Sequence, residues 1–324
     1  MGSDATRDTE AELAGRERDL RLQDLLVKTS RTFALAIPQL PQPTLREVTV
    51  AYLLFRIADT FEDASVLWDR PRRVAALGEF DHLLGSPSVD KARGCVREWT
   101  SEPPTDHAGY LELLEETPLV FSALLALSER ARDAIVGHTR RTAQLMAEFV
   151  TQTDGAGVLR LRDLEDLRAY CYAVAGIVGE MLTDLFLLSA DTVTASAKFL
   201  RKRASAFGEG LQLVNILKDS ASDEVEGRNF LPSTVDRGEV FALARTDLQA
   251  ATEYARELQR AGAPAGVVAF TALPVELAWA TLDRVEELGP GTKITRTQVF
   301  ALYARVHQAI KKGRPVLESR GHNT

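Results

Sequence analysis

Two stretches of this chain carry oxygen ligands at helical spacing. In the first, Val50 to Ala64, the residues Tyr52, Arg56, Asp59 and Asp63 follow steps of four, three and four, so they share one helix face, and Glu62 lies three residues after Asp59. Leu53, Leu54, Phe55, Ile57, Ala58 and Phe61 cover the other faces. A helix that is apolar round most of its circumference is buried, and carboxylates inside it carry a large desolvation cost unless paired or metal-bound. The same spacing also fits a solvated acidic face near a helix end, with Arg56 as an ordinary ion-pair partner. In the second stretch, Phe207 to Glu226, the residues Gln212, Asn215, Asp219 and Asp223 line one face, while Leu213, Val214, Ile216 and Leu217 cover the rest. Neutral amide oxygens mixed with carboxylates suit a hard divalent cation that keeps some waters and shares a phosphate ligand. Lys218 adjoins this stripe, where it could meet a diphosphate as a point charge. An EF-hand would gather its ligands in one short loop, whereas these lie far apart in the chain. Facing carboxylate helices that hold metal inside a bundle are the alternative. Neither stripe contains histidine, so oxygen-only ligation points to Mg²⁺ bridging an anionic, phosphate-bearing substrate.

The elements that must position these stripes read as helices almost throughout. Apolar periodicity predicts helices over Ala11–Thr29, Thr44–Val66, Arg70–Leu84, Leu111–Leu127, Glu129–Thr151, Asp163–Ser189 with an Asp N-cap, Thr192–Glu224, Arg237–Ala261, Pro264–Leu288 and Thr295–Lys312. Residues 86–109 mix short helical pieces with turn formers. No alternating strand, hairpin signal or fixed repeat is evident. The expectation is one all-α domain over 1–324, with 1–20 a flexible or peripheral N-terminal segment and 313–324 a polar tail.

Composition narrows the classes. The 324 residues are 45% hydrophobic with a formal net charge of −7, a balance that argues against a general nucleic-acid binder. Two cysteines, Cys95 and Cys171, make no disulfide framework, which fits a reducing cytoplasm. The charged N-terminus does not resemble a signal peptide, and no stretch reads as the roughly 18 apolar residues of a bilayer span. Phosphate-binding glycine loops and H-E-x-x-H are missing, and the five histidines have no metal-ligand spacing. Chemistry here must come from carboxylates, amides, tyrosines and basic residues on helices.

The motifs resemble those of the squalene/phytoene synthases. Ser30-Arg31-Thr32-Phe33 is similar to that family's S-R-S-F segment, and Tyr52 through Asp63 to its Y-x-x-x-R-x-x-D-T-x-E-D. Tyr170 through Gly179 is similar to Y-C-x-x-V-A-G-x-V-G, with Gly176 and Gly179 in place. Gln212 through Asp223, followed by Gly227-Arg228 and Pro232, is similar to Q-x-x-N-I-x-R-D-x-x-x-D-x-x-x-G-R-x-x-x-P. The resemblance runs from about residue 30 to about residue 305 and implies a single isoprenoid-synthase helical bundle with a central cavity.

It also implies roles. Asp59, Glu62, Asp63, Asn215, Asp219 and Asp223 would hold Mg²⁺–diphosphate, and Tyr52 and Tyr170 would handle protons and steer carbocations. Ser30, Arg31, Arg56, Gln212, Lys218 and Arg228 would contact substrate, the basic ones through diphosphate oxygens. Gly176 and Gly179 would leave room for an isoprenoid tail, although close helix packing explains them equally well. Phe33, Phe55 and Phe270 would line the pocket, where aromatic faces stabilise cations; simple core packing is the competing reading.

The D-T-x-E-D form and the K-I-x-R segment with Lys293 and Arg296 look most like squalene synthases, and in particular the bacterial ones without a membrane anchor. That implies farnesyl diphosphate as substrate and a terminal NADPH reduction, with dehydrosqualene or phytoene synthesis, another prenyl transfer or cyclisation, or a non-catalytic helical interaction protein as alternatives. Lys218 stands where the family usually has Arg, so a bidentate contact is lost. Peripheral membrane contact for product release is a further expectation.

Overall fold

A computed structural model describes residues 2–30, 32–155, 157–225, 229–318 and 320, with side chains described from residue 15 onward except those of 223–225. Among these residues the regular structure is helical, with one isolated parallel bridge between Arg160 and Asn229. The all-α expectation is met. The helices are α1 (Gly2–Thr29), α2 (Phe33–Ala36), α3 (Thr44–Glu62), α4 (Arg70–Gly85), α5 (Val89–Ser101), α6 (Ala108–Glu115), α7 (Thr117–Leu125) and α8 (Glu129–Thr151) in the first half. The second half has α9 (Leu164–Cys171), α10 (Ile177–Ser189), α11 (Asp191–Thr194), α12 (Ala197–Arg201), α13 (Ala204–Val225), α14 (Arg237–Arg260), α15 (Ala265–Leu288) and α16 (Arg296–Lys311).

Several predicted helices are subdivided, each for a local reason. The helix expected over Leu111–Leu127 breaks at Glu116, between α6 and α7, where Pro118 in the first turn of α7 has no N–H to give to the preceding turn. The span from Asp163 begins on its expected cap, with the Asp163 carboxylate accepting from the Asp166 N–H at 2.9 Å, but a π turn at Tyr172–Gly176 interrupts it. Thr192–Glu224 divides into α11, α12 and α13. At the N-terminus α1 is helical from Gly2, through residues the sequence reading assigns to a flexible or peripheral segment, and Asp19 is paired with Arg46.

The core is continuous. On α3, Leu53, Leu54, Ile57, Ala58 and Phe61 have no exposed surface, and Phe61 packs on Trp99 with ring centroids 4.8 Å apart. Each of the larger of these side chains contributes about 1.5–3 kcal/mol, which fixes the rotation of α3 and hence the direction of its polar face. α13 is set by close backbone approach to the α10 region. A Cβ on Gly179 would sit 1.9 Å from the Ala204 carbonyl oxygen, and one on Gly208 would sit 1.9 Å from that of Ala175. Two spans, Leu164–Ser189 and Ala265–Leu288, are long and apolar enough to cross a bilayer, which corrects the sequence reading; more than half of each apolar window is buried inside this fold.

Candidate active site

The polar edges of α3 and α13 meet at one cavity of about 220 Å³. Tyr52, Arg56 and Asp59 reach it from α3, and Gln212 and Asn215 from α13. Phe33, Phe55 and Phe270 form part of its apolar wall, together with Val178, Leu182 and Phe207. The cavity therefore has oxygen ligands and a guanidinium on part of its lining and hydrocarbon elsewhere, the arrangement an amphiphilic substrate requires.

Arg56 is held by three groups. Its guanidinium lies 3.3 Å from Asp59, 5.8 Å from the Tyr52 ring centroid and 5.4 Å from that of Tyr110. Burial alone would lower its pKa, but Asp59 and the two tyrosines keep it above the ordinary arginine value. Burial pushes Asp59 up to about 6, with Arg56 opposing the shift and Asp63 reinforcing it. A carboxylate desolvated in this way is primed to gain from a cation brought to it. Tyr52 donates its hydroxyl to the Thr29 carbonyl at 2.8 Å, and its ring is 5.8 Å from that of Phe33.

The end of α3 turns in two directions. Asp63 is exposed, whereas Glu62 is only 8% exposed and accepts from the Tyr170 hydroxyl at 3.4 Å. Tyr170 does not line the cavity; it is buried between Phe149 and Phe230, stacked on the latter at 4.9 Å. Burial, then Glu62 and Asp63, raises its pKa well above the usual phenol value. Arg73 from α4, 4% exposed, donates to the Glu62 carbonyl oxygen, and its remaining nitrogens Nε and Nη1 have no hydrogen-bond partner among the described residues.

On α13, Lys218 occupies the space between the stripe's oxygens: its Nζ is 3.3 Å from Asn215 Oδ1 and 3.1 Å from Asp219 Oδ2. Asp219 is partly exposed, and the side chain of Asp223, one turn further on, lies outside the described residues. Arg31 and Arg228 also lie outside them. Lys293 and Arg296 are exposed, but their segment is anchored beside the stripe, because the Gly291 N–H donates to the Lys218 carbonyl at 2.7 Å. Ser30 accepts from the Phe33 N–H at 3.0 Å, which shapes the turn into α2. Gly179 borders the cavity, yet its missing Cβ is the contact with Ala204 described above; a Cβ on Gly176 would meet Tyr172 and Glu209. Helix packing therefore accounts for both glycines.

The oxygen donors present are of the type that a hard divalent cation shares with phosphate. Asp59 and Asn215 are oxygen donors at one cavity, and among the described residues no three His, Cys, Asp or Glu side chains are already gathered into a cage. Sequence reasoning missed Tyr110, Arg73 and Phe230. Nothing in their own spacing marks them, because each matters only through a residue distant in the chain.

The squalene/phytoene synthase family matches residues 26–239. The chain belongs to the squalene/phytoene synthase family. It is 30% identical over 219 residues to the squalene synthase of Candida albicans, a match covering 67% of this chain and 46% of that protein. With the squalene synthase of Schizosaccharomyces pombe it shares 30% identity over 217 residues, covering 66% of this chain and 44% of the relative. The matches thus span less than half the length of these curated relatives. The fold is similar to TcSQS in its complex with the ligand E5700, with a TM-score of 0.73 and 25% identity over 89% of this chain and 86% of that one. A second TcSQS complex, with BPH1237, gives a TM-score of 0.70 at 25% identity, covering 91% and 90% of the two chains.

Proposed function

We propose that this member of the family joins two prenyl diphosphates head to head, with farnesyl diphosphate as substrate and squalene as final product. The observation that carries the reading is the single cavity at which Asp59 and Arg56 of α3 face Gln212 and Asn215 of α13, with the remaining walls apolar. Asp59, Asp63, Asn215, Asp219 and Asp223 would hold Mg²⁺, which when bound neutralises diphosphate oxygens and favours loss of that leaving group.

The protein's own groups do the rest. Arg56 offers donors to diphosphate oxygens from a position already fixed by Asp59, Tyr52 and Tyr110. Lys218 lies against Asn215 and Asp219 and would be free to turn to the diphosphate if those oxygens held the cation. The C1–O bond of one substrate breaks with its electron pair leaving on the diphosphate, and the double bond of the second substrate attacks the allylic cation. Loss of a proton then closes a cyclopropyl diphosphate, presqualene diphosphate for the farnesyl substrate. Tyr52 lines the cavity and is the better-placed tyrosine to steer that proton; Tyr170 is not part of the lining and donates to Glu62. Phe33, Phe55 and Phe270 present ring faces to the cationic carbons and keep water away from them. The last step requires a second ionisation and reduction by NADPH.

Incubation of the purified protein with farnesyl diphosphate and Mg²⁺, with and without NADPH, followed by identification of the extracted lipid, tests this. Squalene only in the tube with NADPH is the expected result. Dehydrosqualene in both tubes would move the assignment to non-reductive synthesis, and reaction of geranylgeranyl diphosphate instead would move it to phytoene. Unchanged substrate in every tube would overturn the reading.

A further inference from the structure

The π turn at Tyr172–Gly176 joins two parts of the site. Before it, α9 carries Tyr170 to Glu62 at the end of α3. Within it and after it, Val174, Ala175, Val178 and Leu182 line the cavity, and Gly179 fixes the rotation of α10 through its contact with the Ala204 carbonyl. The turn absorbs one extra residue, with the Ile177 N–H donating to the Tyr172 carbonyl five residues back instead of four. Relaxation to a regular α-helix would turn α9 by about 100° against α10. Tyr170 would then no longer meet Glu62 while Gly179 kept its contact.

Two neighbouring side chains of α8 reach this turn. The Thr142 hydroxyl, on a residue with no exposed surface, donates to the Ala173 carbonyl inside the turn at 3.0 Å. One position earlier, Arg141 donates to the Tyr172 hydroxyl and, at 2.9 Å, to Glu180. Tyr172 also donates to Glu180, at 3.3 Å. Round an unbroken α-helix Tyr172 and Glu180 would sit about 80° apart, and the extra residue of the π turn brings them to within about 20°. The Arg141–Tyr172–Glu180 contacts therefore favour the π register over the regular one.

We propose that Thr142 and Arg141 are positioning residues that lock this register and so hold the apolar wall of the cavity in step with Tyr170. Neither side chain lines the cavity, and neither lies in a ligand stripe. Burial ranks the two. Thr142 satisfies a carbonyl out of reach of solvent, whereas the Arg141–Glu180 pair, with side chains 44% and 30% exposed, is a weaker hold. The consequence for turnover rests on the proposed function; the lock on the register does not.

Amide hydrogen exchange of the full chain, read over residues 170–182, tests the lock. Thr142→Val should speed exchange of this segment about tenfold or more, because the Ala173 carbonyl loses a buried donor, and Thr142→Ser, which keeps the hydroxyl, should restore it to within about threefold. Arg141→Met should speed it about threefold; it changes a partly exposed side chain and decides the matter if Thr142→Val does not fold. The rest of the chain should exchange as in wild type. With farnesyl diphosphate and Mg²⁺, Thr142→Val should lower kcat/KM about tenfold or more, mostly through KM because the displaced wall meets the prenyl tail, with recovery in Thr142→Ser. Unchanged local exchange in the variants, acceleration spread evenly over the chain, no rescue by serine, or a local change with kcat/KM intact would overturn the proposal. If the wild type itself turns over no prenyl diphosphate, the proposed function fails instead, and the exchange rates alone decide the lock.

Discussion

The two acidic stripes belong to helices of the same periodicity but sit in different surroundings. α3 is enclosed: its apolar faces are buried, and Asp59 is desolvated against Arg56. α13 is enclosed as far as Leu217, with Gly208 meeting the Ala175 carbonyl and Gly210 lying against Asp247. Its C-terminal part opens to solvent, where Lys218 covers Asn215 and Asp219. One stripe is therefore enclosed at an electrostatic cost, and the other is wetter and partly neutralised by its own lysine. On the proposed function, metal–diphosphate would meet the enclosed stripe of α3 on one side and the wetter stripe of α13 on the other.

The sharpest test of that contrast replaces one carboxylate on each side. Asp59→Asn and Asp219→Asn should each lower kcat/KM on the order of 10³-fold, as expected when a group opposing developing charge is lost. They should differ in stability. Burial raises the Asp59 pKa even beside Arg56, so Asp59→Asn should not lower stability at pH 8 and should raise it by up to about 2 kcal/mol by denaturant unfolding. Asp219→Asn removes a partly exposed carboxylate from a surface pair and should cost less than about 1 kcal/mol. Equal destabilisation would remove the distinction between the two stripes.

Next in size is the buried half of α13. Gly208→Ala drives a Cβ into the Ala175 carbonyl and should cost about 1–3 kcal/mol. It should also lower kcat/KM, because the whole stripe moves with the helix; a stability loss without an activity loss would mean that the two are uncoupled.

Asp247 tests the same region through pH. Burial, and then Glu209, pushes its carboxyl up to about 6, with Arg168 opposing. The folded-state pKa is raised above the ordinary 3.8, so stability should fall as pH rises from about 4 to about 6, where the unfolded state gives up its proton first. Asp247→Asn should consequently stabilise the protein by up to about 2 kcal/mol at pH 8 and by nothing below about pH 4. A constant difference across that range would count against the burial argument.

The smallest effect belongs to the open half. Lys218→Arg restores a planar fork to diphosphate and should change KM by less than about fivefold with little change in melting temperature.

Much of this was legible in the chain because it rests on local periodicity. The spacing of Tyr52, Arg56 and Asp59, and of Gln212 and Asn215, determines that each set shares a face, since side-chain direction in a helix follows from residue number alone. The all-α class and the Asp163 cap follow from the same short-range rules. Which of two motif tyrosines meets the cavity did not: Tyr52 and Tyr170 look equivalent in sequence, and only packing against Phe149 and Phe230 withdraws the second. Likewise Glu62 and Asp63 are adjacent, yet one is buried against Tyr170 and the other faces solvent. Arg73 reads as one of several arginines opening a helix until α4 carries it beneath the Glu62 carbonyl. The sequence by itself determined the all-α class, the shared face of each polar stripe and the family. Tertiary structure alone decided which charges are desolvated, which glycines are contacts and which faces meet, because those depend on groups brought together from distant parts of the chain, where the dielectric and the neighbouring charges are set.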